Sequence, residues 1–86
     1  MADKQHILLV DDDPNIRQLV NLYLEKAGFG VTECDRGDTA IDAFRSCNPA
    51  LVLLDVMLPG KDGLEVLKEI RMTSKVPVIM LTAKDE

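Results

Sequence analysis

The sequence predicts an α/β fold: an open, doubly wound parallel sheet with helices on both faces. Two observations predict it. Four runs of strand length alternate with three segments whose apolar residues recur at helical spacing. Three of those runs are apolar throughout, as strands covered on both faces are, and a polar residue follows each of them. The predicted strands are residues 7–10, 31–34, 51–54 and 78–81.

The first helix is predicted over residues 14–27. Asp13 supplies an oxygen that can cap it, and Pro14 stands at the first helical position, where no N–H is needed. Gly28 follows the last apolar residue of the pattern, where a left-handed residue ends many helices. The next strand, residues 31–34, alternates apolar and polar side chains, which favours a sheet edge with one wet face.

Two further helices complete the pattern. The second opens at residues 37–38 and stops at residues 48–49, because the residue before a proline disfavours helix. The third follows a turn-rich loop at residues 58–63. Its apolar side lies along Leu64, Leu67 and Ile70.

Composition excludes several classes of function. The chain has 10 basic and 15 acidic residues, a net charge of −5 and an isoelectric point near 4.7. Phosphate backbones repel such a chain, so we expect no nucleic-acid binding by this segment. No apolar run approaches the roughly 20 residues that span a bilayer, which predicts no membrane attachment. Cys34 and Cys47 lack metal-site or redox spacing, so we expect reduced thiols in a cytoplasmic protein.

Polar side chains stand where three of the predicted strands end. Asp11 and Asp12 follow the first strand, Asp55 the third and Thr82 the fourth. Ligands of open α/β sheets bind outside the carboxyl ends of the strands, so we expect these side chains to converge. Crowded carboxylates oppose one another's ionisation and need a cation or protons. Oxygen ligands without His or Cys favour Mg²⁺, which leaves one carboxylate free as a nucleophile toward a phosphoryl group.

These aspartates also have a simpler structural explanation. A strand-end aspartate is often a helix cap or a turn former, and Asp13 is best explained in that way. The acidic pair before it, taken alone, leaves both interpretations open. The matching residues after the third and fourth strands favour a site, because independent caps have no reason to converge. We interpret Met57 and Met80 as packing residues.

Three stretches resemble the receiver domain of bacterial response regulators, in that family's order and at compatible spacings. They are ILLVDDDPNIRQL, LVLLDVMLPGKDGLEVLKEIR and VPVIMLTAKDE. Their details look most like the branch that joins the receiver to a winged-helix DNA-binding domain. The resemblance covers essentially the whole chain. It implies a flavodoxin-like sheet of strand order 2-1-3-4, with the family's fifth strand missing.

The resemblance implies a metal centre that requires Mg²⁺. Asp55 matches the phosphoacceptor of the family, which also ligates the metal. Asp12 matches the direct ligand of the acidic pair, and Asp11 its neighbour, which acts through water. Met57 matches the position whose main-chain carbonyl joins the metal ligands.

The resemblance also implies a phosphoryl site and a loop that shapes it. Thr82 matches the hydroxyl residue that contacts the phosphoryl group and moves in the switch. Ala83 matches the small residue whose backbone N–H lies near the phosphate. The loop after the acceptor matches at Pro59, Gly60, Asp62 and Gly63.

The family's activity implies a signalling module and not an ordinary enzyme. A sensor histidine kinase donates the phosphoryl group of its phosphohistidine to Asp55. The resulting acyl phosphate biases a two-state switch, which in this branch controls transcription through a separate DNA-binding domain.

The resemblance stops before the family's last helix, strand and helix, so residues 1–86 are expected to be an incomplete receiver domain. The remaining part carries the lysine that pairs with the phosphoryl group, and Lys84 does not match it because it follows the fourth strand. That strand becomes an uncovered apolar edge, which predicts that the chain self-associates, swaps elements with another copy or is only marginally folded. Two alternatives stay open. One is an inert fragment that keeps the fold and the Mg²⁺ site, and the other is a phosphatase with an aspartate nucleophile, whose usual second aspartate is here Met57.

Overall fold

The computed structural model describes residues 5–81. Strands and helices alternate through this part of the chain, as the sequence predicts. They are β1 (His6–Val10), α1 (Pro14–Lys26), β2 (Gly30–Cys34), α2 (Ala40–Cys47), β3 (Leu51–Asp55), α3 (Gly63–Thr73) and β4 (Val78–Leu81).

The strands form one parallel sheet in the order β2-β1-β3-β4, which confirms the predicted order and the edge position of β2. Val10 lies opposite both Cys34 and Leu54, and Asp55 lies opposite Leu81. All four strands therefore end near one edge of the sheet. Within residues 5–81, β4 pairs with β3 alone, and the Ile79 side chain is 52% exposed.

The main core lies between one face of the sheet and the pair α2 and α3. Alternate residues of β1 and β3 meet one side of each helix there, and the fully or nearly buried members are Leu8, Val10, Ala40, Phe44, Val52, Leu54, Val66 and Ile70. Ile7 and Leu9 are also buried but point to the opposite face, on the side of α1. Helices thus cover both faces, which confirms the doubly wound architecture.

Capping chemistry sets the ends of α1. The Asp13 side chain accepts hydrogen bonds from the N–H groups of Asn15 at 2.9 Å and Ile16 at 3.4 Å, so it is the predicted cap. Gly28 has a φ of +96°, which confirms the left-handed residue expected after the helix. None of the helices in the described part of the chain has the length and apolar character needed to cross a membrane.

Several boundaries differ from the sequence prediction. β1 and β2 begin one residue earlier and α1 ends one residue earlier, and two further differences lie near the carboxyl edge of the sheet. The second helix begins at Ala40, with Thr39 as its N-cap, and not at residues 37–38, and the Gly37 N–H donates to the Pro59 carbonyl oxygen at 2.9 Å. This bond ties the loop before α2 to the loop after β3. The third strand is one residue longer than predicted, so Asp55 is its last residue.

Candidate functional site

Three carboxylates converge at the carboxyl edge of the sheet. One oxygen from each of Asp11, Asp12 and Asp55 lies within 4.8 Å of the others. Asp11 is buried, Asp55 is half-buried and Asp12 is exposed. The convergence follows from the pairing of β1 with β3, which end side by side and project their next residues to the same place.

Hydrogen bonds hold both the backbone and the side chain of Asp11. Its N–H donates to the Cys34 carbonyl oxygen at 3.0 Å, and its own carbonyl oxygen accepts from Nη1 of Arg17 at 2.8 Å. One oxygen of its side chain accepts from the N–H of Asp13 at 2.9 Å. Asp11 is therefore an anchored carboxylate at only 5% exposure, beside the exposed Asp12.

The electrostatics of the cluster favour a bound cation. Partial burial raises the pKa of Asp55, and the nearby charges of Asp11 and Asp12 raise it further. The N–H of Met57 donates to one Asp55 oxygen at 3.4 Å, which opposes that shift. A divalent cation among the three carboxylates would relieve their repulsion and favour the ionised form of Asp55.

The donor set fits Mg²⁺. All three side chains offer carboxylate oxygens, and no histidine or thiol lies among them, which suits a hard cation. Mg²⁺ is usually held by one or two carboxylates and keeps waters as other ligands, so the partly exposed cluster is suitable.

An open groove adjoins the cluster. It has a volume of about 450 Å³, and its lining comes from the end of β3, the following loop and one member of the acidic pair: Asp12, Val56, Met57, Leu58, Pro59 and Asp62. The prediction that Met57 is a packing residue is wrong, since the side chain is 67% exposed. The chain leaves the sheet after Asp55, so Met57 stands on the turn above the core.

The loop after Asp55 is held against the start of α3. The Gly63 N–H donates to the Val56 carbonyl oxygen at 2.9 Å, and the Asp62 side chain caps α3 at the Leu64 N–H, 3.2 Å away. A Cβ atom on Gly63 would lie 2.1 Å from the main-chain oxygen of Asp55. Only glycine permits this approach, so α3 packs directly on the backbone of Asp55.

The remaining predicted site residues follow the part of the chain that the structure describes. Thr82 and Ala83 fall outside the described residues, as does Lys84. The sequence analysis did not single out Arg17 and Glu33, which form an ion pair at 3.2 Å beside the acidic pair. Their 16-residue separation carries no local pattern, and only the packing of α1 on β2 brings them together.

Comparison with known proteins identifies the family. Residues 7–86 match the family model of the response regulator receiver domain, so the chain belongs to that family. The chain is 49% identical over 84 residues to the transcriptional regulatory protein CseB of Streptomyces coelicolor, covering 98% of this chain and 36% of that protein. It is 48% identical over 85 residues to the transcriptional regulatory protein ResD of Bacillus subtilis, covering 99% of this chain and 35% of ResD. These relatives belong to the winged-helix branch that the sequence resembles.

Solved structures agree with this assignment. The BeF3-activated receiver domain of Klebsiella pneumoniae RstA superposes with a TM-score of 0.90 at 39% identity, covering 95% of this chain and 70% of that one. The response regulator TrrA of Thermotoga maritima, in complex with Mg²⁺-BeF, gives 0.86 at 43% identity, covering 94% and 71%. The chain thus spans about a third of the curated relatives' length, within their receiver part.

Proposed function

We propose that this chain is the phosphoacceptor of a two-component signalling system. A sensor histidine kinase supplies the phosphoryl group from its phosphohistidine, and Asp55 receives it. The observation that carries this proposal is the cluster of three carboxylates within 4.8 Å, at the ends of β1 and β3 of a receiver-family fold.

The transfer conserves atoms and charge. An oxygen of the Asp55 carboxylate attacks the phosphorus of the phosphohistidine, the P–N bond breaks, and the imidazole nitrogen leaves with the bonding pair. The product is an acyl phosphate on Asp55 and a free histidine side chain on the kinase. In this proposal the acyl phosphate on Asp55 serves as a signal and its hydrolysis regenerates the carboxylate, so no metabolite is turned over and the domain is not an ordinary enzyme.

Exposure and hydrogen bonding support Asp55 over Asp11 as the acceptor. Asp11 is 5% exposed, and Asp13 binds one of its oxygens, so a donor cannot reach it freely. Asp55 is half-buried at the end of β3, and α3 packs on its backbone through Gly63. A nucleophile held in this way loses little further freedom when the donor arrives.

The other residues of the site hold the metal and the phosphoryl group. In this proposal Asp12, Asp55 and the main-chain carbonyl of Met57 ligate Mg²⁺, and Asp11 acts through water. Mg²⁺, when bound, neutralises negative charge on the phosphoryl oxygens. Thr82 contributes a hydroxyl contact and the switch movement, and Ala83 a backbone N–H near the phosphate.

The output follows from the branch to which the relatives belong. CseB and ResD are named transcriptional regulatory proteins. We propose that residues 1–86 act as part of a receiver in a longer cytoplasmic regulator, whose separate DNA-binding domain responds to the phosphorylation. The net charge of −5 argues against DNA contact by this segment itself.

Intact-mass spectrometry tests the proposal. The chain is incubated with Mg²⁺ and a small acyl-phosphate donor, and the matched control is Asp55→Asn, which keeps the shape of the side chain. We expect one phosphoryl adduct on the wild type, none on the variant and none when EDTA removes the metal. A folded wild-type chain that gains no adduct would instead support the inert fragment.

A measurement of phosphate release distinguishes the phosphatase alternative from the proposed phosphoacceptor. Such enzymes use a second aspartate two positions after the nucleophile as acid and base, and Met57 stands there with an exposed thioether side chain. Met57 cannot transfer a proton, so we expect no steady hydrolysis of a phosphomonoester. Sustained release of phosphate would favour the phosphatase.

The exposed edge at β4 supports self-association of the 86-residue chain. Within residues 5–81, β4 has a partner on one side only, and Ile79 is half exposed on it. Open apolar edges pair with other chains. Light scattering across a wide concentration range is expected to show dimers or larger species, and a constant monomer mass would contradict this.

A further inference from the structure

Arg17 contacts the acidic segment although the proposed chemistry gives it no task. Its Nη1 donates to the main-chain oxygen of Asp11 at 2.8 Å, and its Nε donates to Glu33 at 3.2 Å. The arginine side chain is only 18% exposed. The second oxygen of Glu33 accepts from the Asn21 side chain at 2.8 Å, one helical turn further along α1. Glu33 on the edge strand β2 therefore orients two side chains of α1.

The bond from Arg17 completes a support for the metal-binding backbone. The Asp11 N–H is already held by the Cys34 carbonyl at 3.0 Å, and Arg17 holds the Asp11 carbonyl on the other side of the residue. This carbonyl belongs to the peptide group that joins Asp11 to Asp12. The orientation of this carbonyl therefore affects the directions in which the Asp11 and Asp12 side chains project.

The positive charge of Arg17, taken alone, would weaken Mg²⁺ binding, whereas holding the peptide group would strengthen it. A guanidinium one peptide group away from a cation site repels the cation, although Glu33 compensates much of that charge. If Arg17 acts only through its charge, its removal strengthens Mg²⁺ binding. If it acts by holding the peptide group, its removal weakens Mg²⁺ binding. The sign of the change distinguishes the two.

We propose that Arg17, oriented by Glu33, is a positioning residue that fixes the Asp11–Asp12 peptide group and so prearranges the carboxylates for a divalent cation. This inference rests on the proposed function, because it assumes that the cluster binds Mg²⁺. Partners that hold metal ligands in place typically contribute about 10-fold to 100-fold in metal affinity. Arg17 holds the backbone of the ligands and not their side chains, so we expect the low end of that range.

Isothermal titration calorimetry with MgCl₂, without any phosphoryl donor, tests the inference on the 86-residue chain. The variants are Arg17→Gln, which removes the charge, and Arg17→Lys, which keeps it but loses the planar fork that reaches two acceptors. Arg36→Gln is the matched control. It removes the same charge from a comparable ion pair, Arg36 with Asp38 at 2.8 Å, that has no hydrogen bond to the acidic pair. Circular dichroism melting establishes that each variant folds.

The expected result is a Mg²⁺ Kd about 10-fold higher for Arg17→Gln, a smaller increase for Arg17→Lys and little change for Arg36→Gln. Unchanged or tighter binding by a folded Arg17→Gln would overturn the inference. If Arg17→Gln does not fold, Arg17→Lys provides the test, because it keeps the positive charge and changes only the geometry of the side chain. A wild-type Mg²⁺ Kd in Arg17→Lys would then refute a geometric role. Failure of the wild type to bind Mg²⁺ overturns the proposed function, and the inference with it. If the wild type binds Mg²⁺ and the Arg17 variants bind it with the same Kd, the inference alone is overturned.

Discussion

Gly63→Ala is expected to damage both stability and phosphotransfer, because the first residue of α3 lies directly against the backbone of Asp55, the proposed acceptor. An added Cβ would lie 2.1 Å from the Asp55 carbonyl oxygen and 2.9 Å from the Cα and carbonyl oxygen of Val56. Ordinary contact begins near 3.4 Å, so α3 or the end of β3 must move by about 1.3 Å. The obstructing atoms are backbone atoms, which cannot rotate away as a flexible side chain can.

The magnitude follows from two opposing effects. Overpacking of a well-packed region costs about 1–3 kcal/mol, and alanine returns up to about 1 kcal/mol of helix propensity. The net loss in the free energy of unfolding is about 1–2 kcal/mol, which lowers Tm by roughly 5–15 °C in a domain of this size. A displacement of about 1 Å at the reacting group can cost about 100-fold in rate. We therefore expect phosphorylation of Asp55 to slow far more than the loss of stability alone would explain.

Gly28→Ala provides the control. Gly28 has no neighbouring atom within 4 Å of the added Cβ, but its φ of +96° is strained for alanine. The strain costs about 1–2 kcal/mol and lies between α1 and β2, at the end of the sheet away from the carboxylates. Thermal melting and the rate of adduct formation are measured for both variants. Similar losses of Tm with slow phosphorylation only in Gly63→Ala support the reasoning, and a Gly63→Ala chain phosphorylated at the wild-type rate would refute it.

Three further substitutions test the fold and its edge. Asp13→Ala removes the α1 cap and is expected to lower the free energy of unfolding in urea by about 1 kcal/mol, whereas an unchanged midpoint would mean that the cap is dispensable. Leu54→Ala opens a cavity at a side chain with 0% exposure and is expected to lower the free energy of unfolding by about 2–5 kcal/mol. Thermal melting followed by circular dichroism measures this loss, and an unchanged Tm would contradict it. Ile79→Lys places a charge on the open strand β4 and is expected to lower the mass found by light scattering. Association that persists in this variant would exclude β4 as the contact.

Much of the fold could be predicted because its determinants are local. Apolar runs of strand length and helical periodicity give the element order, and parallel strands separated by helices give the layered architecture. The Asp13-Pro14 start and the Gly28 end of α1 depend on chemistry within a few residues, and the structure agrees at both. The strand order relied on the family resemblance and on the alternating pattern of β2, and it is confirmed.

The rest depends on contacts between segments distant in sequence. α2 begins two to three residues later than the local pattern predicts, and the segment before it bonds from Gly37 to Pro59, a partner 22 positions away that no local pattern indicates. Met57 was misassigned to packing because a large apolar side chain was assumed to be buried, whereas the turn after β3 exposes it. The convergence of the aspartates was predictable from their strand-end positions. The contact of Arg17 with Asp11 was not, because it requires the packed position of α1.

The identity of the phosphorylated residue tests the central claim most directly. The chain is incubated with Mg²⁺ and the acyl-phosphate donor, treated with borohydride, and mapped by peptide mass spectrometry. Hydride reduces an aspartyl phosphate to the corresponding alcohol, homoserine, and so marks the modified position permanently. We predict homoserine at Asp55 and unmodified Asp11 and Asp12. A mark on either member of the acidic pair, with Asp55 untouched, would contradict the assignment of acceptor and metal ligands.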